Sequence, residues 1–289
     1  MLLLSTFINL GEKGTQMSAA AIEAWRAEQE KSLRADNSWL TVAGLFWLQE
    51  GDNTVGSGDD NDLVFPAGSC PARLGVFHRA GTTVTFTAAA GVGYTVNGAA
   101  PKAGQLQVDG DGKYTPDTIE HGKLSFFVVT RQERIGIRLR DNDSQARRDF
   151  SGRVWYPYDP AAVVTATVTP PTDNKTISIQ NILGYYEDTP SAGTLHFTYH
   201  GQQLTLEAID GKGALFVIMR DKTSGHETYG AGRFLMVPPA VDGTTTIDFN
   251  KAVSPPCAFT AYATCPMAPP ANHLPITVAA GEKYVGEQH

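Results

Sequence analysis

The sequence predicts a mainly β protein: two antiparallel β-sandwich or barrel units with one short N-terminal helix. Short runs of strand length, rich in β-branched and aromatic residues and closed by Gly, Asn or Asp, recur from about residue 40 to residue 248. No strand–helix–strand alternation is visible, which argues against a parallel sheet. Midway, the polar and proline-terminated stretch RDNDSQARRDFSGRVWYPYDPAA separates the runs into two groups.

In chain order, residues 1–17 are expected to be an unstructured leader. MLLLSTFINL lacks a basic flank and a small-residue cleavage site and is too short to cross a bilayer. Ile22, Trp25, Ala27 and Leu33 among charged neighbours predict an amphipathic helix over 18–35. NSWLTVAGLFWLQEGDNTVG reads as strand, turn, strand, and DLVFP, LGVFHR, TTVTFTAA, YTVNG, LQVDGDGKY and KLSFFVVTRQERIGIRLRD continue the series. The first unit is therefore expected over 18–140, a connector over 141–162 and the second unit over 163–289. In the second unit, GTLHFTYHGQQLTLEAI alternates, placing Leu195, Phe197 and Tyr199 on one face with the hairpin turn inside YHGQQL. ALFVIMRD is continuously apolar and reads as a central strand.

Composition narrows the function. With 289 residues, 42% of them hydrophobic, the chain can bury a sizeable core. A formal charge of −7 with scattered Lys and Arg leaves no footprint for a phosphate backbone, so neither nucleic acid nor membrane is an expected partner. Three cysteines are too few for a disulfide framework, which favours a reducing, cytoplasmic setting. The phosphate-loop, dinucleotide, nucleophile-elbow and zinc-protease signatures are missing, and no cofactor or metal is expected. The aromatic stretches GLFWLQ and VWYPYDP suit a core better than a pocket.

NTVGSGDDNDLVFP, ARLGVFHRAGTTVTFTAAAGVGYTVNGAAPKAG, LQVDGDG and GKLSFFVV resemble the strand order of a forkhead-associated sandwich. Where that family reads phosphothreonine with an arginine after the first glycine, this chain has Ser57, and no Ser-x-x-His follows DLVFP. That resemblance implies the shape without phosphopeptide binding. Over nearly the whole chain from Trp25, the motifs WLTVAGLFWLQEG, RLRDNDSQARRDFSGRVWYP, RDKTSGHETYGAGRFL, DFNKAVSPPCAFTAYATCPMAPPANHLP and AGEKY resemble the domain-of-unknown-function 1684 family. Its pattern falls on Asp221, Gly225, Thr228, Tyr229, Gly232, Arg233, Asp248, Asn250, Pro256, Cys257, Cys265 and Pro266, and it implies no established chemistry.

These residues are the candidate site. Asp221 suits a cap for the TSG turn, with Tyr229 and Arg233 on the outer face of a returning strand; alternatively Arg233 clamps an anion, oriented by Asp221 or Asp248. Asp248 and Asn250 suit a stitch for the irregular Pro-Cys segment, or a base with a carbonyl contact. Cys257 and Cys265, with seven residues between them, read as structural thiols or a disulfide, as a nucleophile activated by His226 or His273, or as zinc ligands with His273. Three functions stay open: binding of a small, anionic molecule in a pocket of the second unit, oriented by Arg233, Asp248, Asn250 and Asn272; a cofactor-independent hydrolase or lyase using Cys257 or Asp248 with Arg233 as clamp; and a structural or protein-interaction module. The clamp reading expects Arg233→Lys to fold normally and to bind an anionic ligand weakly.

Overall fold

The computed structural model describes residues 18–101, 103–110 and 112–286, so the expected leader lies outside the described residues. It divides the chain into two compact units, one of residues 33–150 and one in which residues up to Ser32 join the chain from Ser151 onward. Both are built mainly of antiparallel strands, as expected.

In the first unit, five strands lie side by side in the order Val42–Trp47, Arg134–Asp141, Leu124–Arg131, Thr118–His121, Thr95–Val96. A second sheet runs Leu63–Val64, Gly51–Gly56, Gly75–Ala80, Thr83–Ala88, with Leu63–Val64 parallel to its neighbour. Phe65, Phe77, Phe86 and Phe126 meet edge-on or tilted, with Phe126 5.6–6.0 Å from the other three rings. That aromatic cluster is the centre of the core. The run LQVDGDGKY, expected as a strand, is irregular. Its buried Asp109 turns inward, accepting the Thr130 amide at 2.7 Å and pairing with Arg131 at 2.6 Å, and so satisfies backbone that a ladder would otherwise have served.

The helix Ala19–Arg34 forms where expected, yet residues 19–32 belong to the second unit. Trp25 meets Trp155 edge-on at 5.8 Å, Arg26 donates to the Tyr156 carbonyl at 3.0 Å, and Glu30 accepts the Arg153 amide at 2.8 Å. The buried stripe is Ile22, Arg26, Gln29 and Leu33, while Ala27 faces out. The connector carries a short helix Gln145–Asp149, capped by Ser144, and the strand Val154–Trp155.

The main sheet of the second unit is antiparallel in the order Arg233–Val237, Leu215–Met219, Gln202–Asp210, Tyr186–Tyr199, Val163–Thr169, Thr244–Asp248. Thr176–Gln180 pairs with the first part of Tyr186–Tyr199. Leu195, Phe197 and Tyr199 are buried as the alternation requires. The hairpin turns at His200–Gly201, both with positive φ, which glycine adopts without a Cβ penalty. Leu215–Met219 is paired on both sides, as its apolar run predicts.

The Pro-Cys segment and the chain beyond it complete the core without joining the sheet as a regular strand. Three 3-10 turns, Phe249–Lys251, Pro256–Ala258 and Pro270–Asn272, punctuate it. From Asn272 to Ala280 every second residue is buried, and Leu274, Ile276, Val278 and Ala280 join Leu195, Leu206, Val217, Leu235 and Ile247 in one apolar cluster. Pro275 withholds a ladder donor, so alternation persists where a ladder does not.

Phe126→Ala is expected to lower the stability of the first unit by about 3–5 kcal/mol, because three ring contacts collapse into a cavity. Urea unfolding followed by a probe in that unit measures it, and an unchanged midpoint would show that the aromatic cluster is not its core.

Candidate functional site

Arg233 begins the strand Arg233–Val237 opposite Met219, which brings Asp221, two residues beyond the neighbouring strand's end, into reach. Both side chains are fully buried. Arg233 donates from Nη1 to the Ala280 carbonyl, and from Nη2 to the Val278 carbonyl at 3.0 Å and to Asp221 Oδ1 at 3.3 Å. Asp221 Oδ1 also accepts from the hydroxyls of Thr223 (2.8 Å) and Ser224 (3.4 Å), and Oδ2 accepts the Val278 amide at 2.6 Å. Burial presses the Arg233 pKa down and Asp221 opposes it. The pair fastens the tail to the sheet, and the fork of the guanidinium is already engaged.

Tyr229 and Arg233 are therefore not on an outer face. Tyr229 lies in the 220–232 loop, 2% exposed, its hydroxyl donating to the Cys257 carbonyl at 3.2 Å and its ring edge-on to Tyr284 at 4.9 Å. Burial, with Cys257 beside it, raises its phenol above the ordinary value.

Asp248, Asn250 and Asn272 hold backbone. Asp248 caps the Phe249–Lys251 turn, accepting the Asn250 amide at 3.1 Å and its side-chain amide at 2.9 Å. Asn250 accepts the Asp159 amide and donates to the Asp159 carbonyl, both at 2.9 Å, as a strand neighbour would. Asn272 does the same for Glu207, accepting at 2.7 Å and donating at 2.9 Å, and it donates to the Ile218 carbonyl at 2.8 Å. Gln202–Asp210 and Leu215–Met219 pair only at Ile209–Phe216 and Asp210–Leu215, so the Asn272 amide fills the place where these strands splay apart.

Cys257 sits in the Pro256–Ala258 turn, and its amide donates to Cys265 Sγ at 3.2 Å. The two thiols are unbridged and buried. The hydrogen bond from the Cys265 thiol, helped by Tyr229 and by the amides of Cys257 and Ala258, holds the Cys257 thiol below its ordinary value against burial. The imidazole of His273 meets the Ala268 carbonyl at 3.1 Å and His226 is exposed, so neither histidine named as an activator is turned to the Cys257 thiol. Among the described residues, no group of three or more His, Cys, Asp or Glu is arranged to hold a metal.

Four further residues converge on Ala280, Gly281 and Glu282. Arg233 bonds the Ala280 carbonyl and the Tyr156 amide bonds the Gly281 carbonyl. Arg153 and the Ser254 amide both meet Glu282 Oε2, Ser254 at 2.7 Å. Burial raises the Glu282 carboxyl above its ordinary range, although Arg153 opposes this. Gly281 has φ +83° and a Cβ there would lie 2.5 Å from the Ala252 carbonyl oxygen, so the chain passes here only as glycine. Around this turn Arg153 Nε, Arg233 Nε and Ser254 Oγ are buried with no hydrogen-bond partner in the protein, while the Tyr156 hydroxyl faces the Glu227 carboxylate. Burial, with Glu227 close by, pushes the Tyr156 phenol up to about 12. The pairing of Val154–Trp155 with Glu282–Lys283 brings VWYPYDP and AGEKY together, a meeting that their separation in the sequence conceals.

The first unit has an open polar hollow of about 460 Å³ among Asn37, Tyr94, Glu120, His121, Lys123 and Asn142, and it holds none of the sequence-predicted site residues.

The family model described as "protein of unknown function" (DUF1684) matches residues 148–283. That match lies almost wholly in the second unit and lends nothing to the forkhead-associated likeness of the first. The chain is also similar to an uncharacterised protein of Haloarcula marismortui solved by solution NMR, at 34% identity over 47% of this chain and 78% of that one, with a TM-score of 0.40. No curated protein matches it. No helix among the described residues is long and apolar enough to cross a membrane.

The geometry reverses the expectation for Arg233→Lys. An ammonium cannot reach two carbonyls and a carboxylate in one plane, so the substitution is expected to destabilise the second unit by about 2–4 kcal/mol. Asn272→Ala is expected to cost a similar amount, as three backbone groups lose their partner. Urea unfolding midpoints measure both; wild-type stability in either variant would contradict these roles.

Proposed function

The chain belongs to the DUF1684 family of proteins of unknown function, and we propose that its second unit binds a small molecule rich in hydrogen-bond acceptors, a carboxylate or a carbonyl compound, at the Ala280–Glu282 turn. One observation carries this reading: three buried polar atoms without partners, Arg153 Nε, Arg233 Nε and Ser254 Oγ, belong to residues whose other atoms bond Ala280 or Glu282. Each unmet polar group costs about 1–3 kcal/mol, so their concentration in one place is what a site poised for a ligand looks like.

Their chemistry selects the ligand. Arg153 Nε and Arg233 Nε are donors only, whereas the Ser254 hydroxyl donates or accepts. An acceptor-rich group meets all three. Arg233 then contributes through its one uncommitted nitrogen, with its Nη atoms fixed in advance by the tail, which lowers the entropic cost of binding. Asp221, Asp248, Asn250 and Asn272 support the site by holding the backbone around it.

Ser254→Ala separates binding from folding, since the main-chain bond to Glu282 remains. Without ligand the variant is expected to melt at or above the wild-type temperature, because an unpaired buried hydroxyl is removed. In a thermal-shift panel of small carboxylates and 2-keto acids, wild type is expected to be stabilised by at least one compound, and the variant to bind that compound about tenfold more weakly. A clear loss of stability in the unliganded variant, or no shift of the wild type with any compound, would contradict the proposal.

A further inference from the structure

We propose that Cys257 and Cys265 form a dithiol that reduces hydroperoxides, an activity separate from the ligand reading above. The placement of the sulfurs carries it. The Cys257 amide lies 3.2 Å from Cys265 Sγ, so the two side chains share one spot although seven residues separate them in sequence. Pro255 and Pro256 before the first cysteine and Pro266 after the second restrict the backbone on both sides of the loop. Tyr229 lies against the carbonyl and the thiol of Cys257. The surroundings favour a thiolate at Cys257 and not at Cys70, whose thiol burial raises.

Burial selects the oxidant. Cys257 is 6% exposed and Cys265 2% exposed, which favours a small hydroperoxide over a bulky disulfide as oxidant. The Cys257 thiolate attacks one peroxide oxygen, the O–O bond breaks, and the other oxygen leaves as water or an alcohol after taking up a proton. Cys257 is then a sulfenic acid. The Cys265 thiol attacks that sulfur, the S–O bond breaks, and water leaves as the disulfide forms. In sum, one peroxide is reduced by two electrons and two thiols are oxidised. A small external dithiol such as dithiothreitol reverses the second change by thiol–disulfide exchange.

The test uses the full chain, reduced and freed of reductant, with hydrogen peroxide as the probe and Cys70 as the internal control. Peptide mass mapping during the reaction is expected to show the Cys257–Cys265 disulfide forming at least about tenfold faster than Cys70 oxidises, even though Cys70 is the more exposed thiol. Cys265→Ser is expected to stop at the sulfenic acid, trapped on Cys257 by dimedone when the reaction is quenched in denaturant; a purely structural thiol would not accumulate this species. Oxidation of Cys70 first, or equal rates at all three thiols, overturns the proposal. So does a wild type that binds no dimedone and forms no disulfide. If Cys257→Ser fails to fold, the wild-type race and the Cys265→Ser trap decide the matter without it.

Discussion

The second unit depends on one buried guanidinium. Arg233 has no solvent contact, and such a charge is tolerable only when its donors are met and a counter-charge is near. Asp221 supplies the counter-charge, and the carbonyls of Val278 and Ala280 take the remaining bonds. The consequence runs outward from there. Asp221 also takes the Val278 amide and the turn hydroxyls, so a single carboxylate fixes the start of the 220–232 loop and the tail that crosses it. An apolar pair of equal volume would fill the space, yet it would leave the tail's backbone groups unmet, because this tail has no regular strand neighbour to serve them.

The same economy explains the irregular segment as a whole. Side-chain amides stand in for missing strands: Asn250 beside Asp159, Asn272 beside Glu207 and Ile218. Proline makes this necessary, since it breaks any ladder, and also keeps it rigid, since it narrows the backbone's choices. A rigid wall without a ladder can carry groups in positions a flat sheet would not allow. Two adjacent thiols and a turn lined by unpaired donors are what this wall presents.

Much of the fold was legible because it follows local rules. The alternation through Leu195, Phe197 and Tyr199 and the His200–Gly201 turn set a hairpin without reference to the rest of the chain. What escaped is long-range. The helix at Ala19–Arg34 showed its periodicity, but its partner, Val154–Trp155, is more than a hundred residues away. Arg233 looked like a surface clamp because charge usually means exposure. Its motif neighbour Asp221 was visible; the tail carbonyls that bury it were not. The alternation of Leu274, Ile276, Val278 and Ala280 was present in the letters and was hidden by Pro275, which argues against a strand. Cys257 and Cys265 were legible as candidates, whereas their mutual contact, and the meeting of Tyr156 with Gly281, are properties of the folded chain alone.

The central claim is that the tail is part of the second unit's core, fastened through Arg233 and Asp221. Native-state hydrogen exchange tests it most directly, through the Leu274, Val278 and Glu282 amides, which donate to the Arg220 carbonyl, Asp221 Oδ2 and the Ala252 carbonyl. These amides are predicted to exchange together with those of Arg233–Val237, by the global unfolding of the unit. Exchange of the tail amides well ahead of that strand would show that the tail frays independently, and would contradict the account.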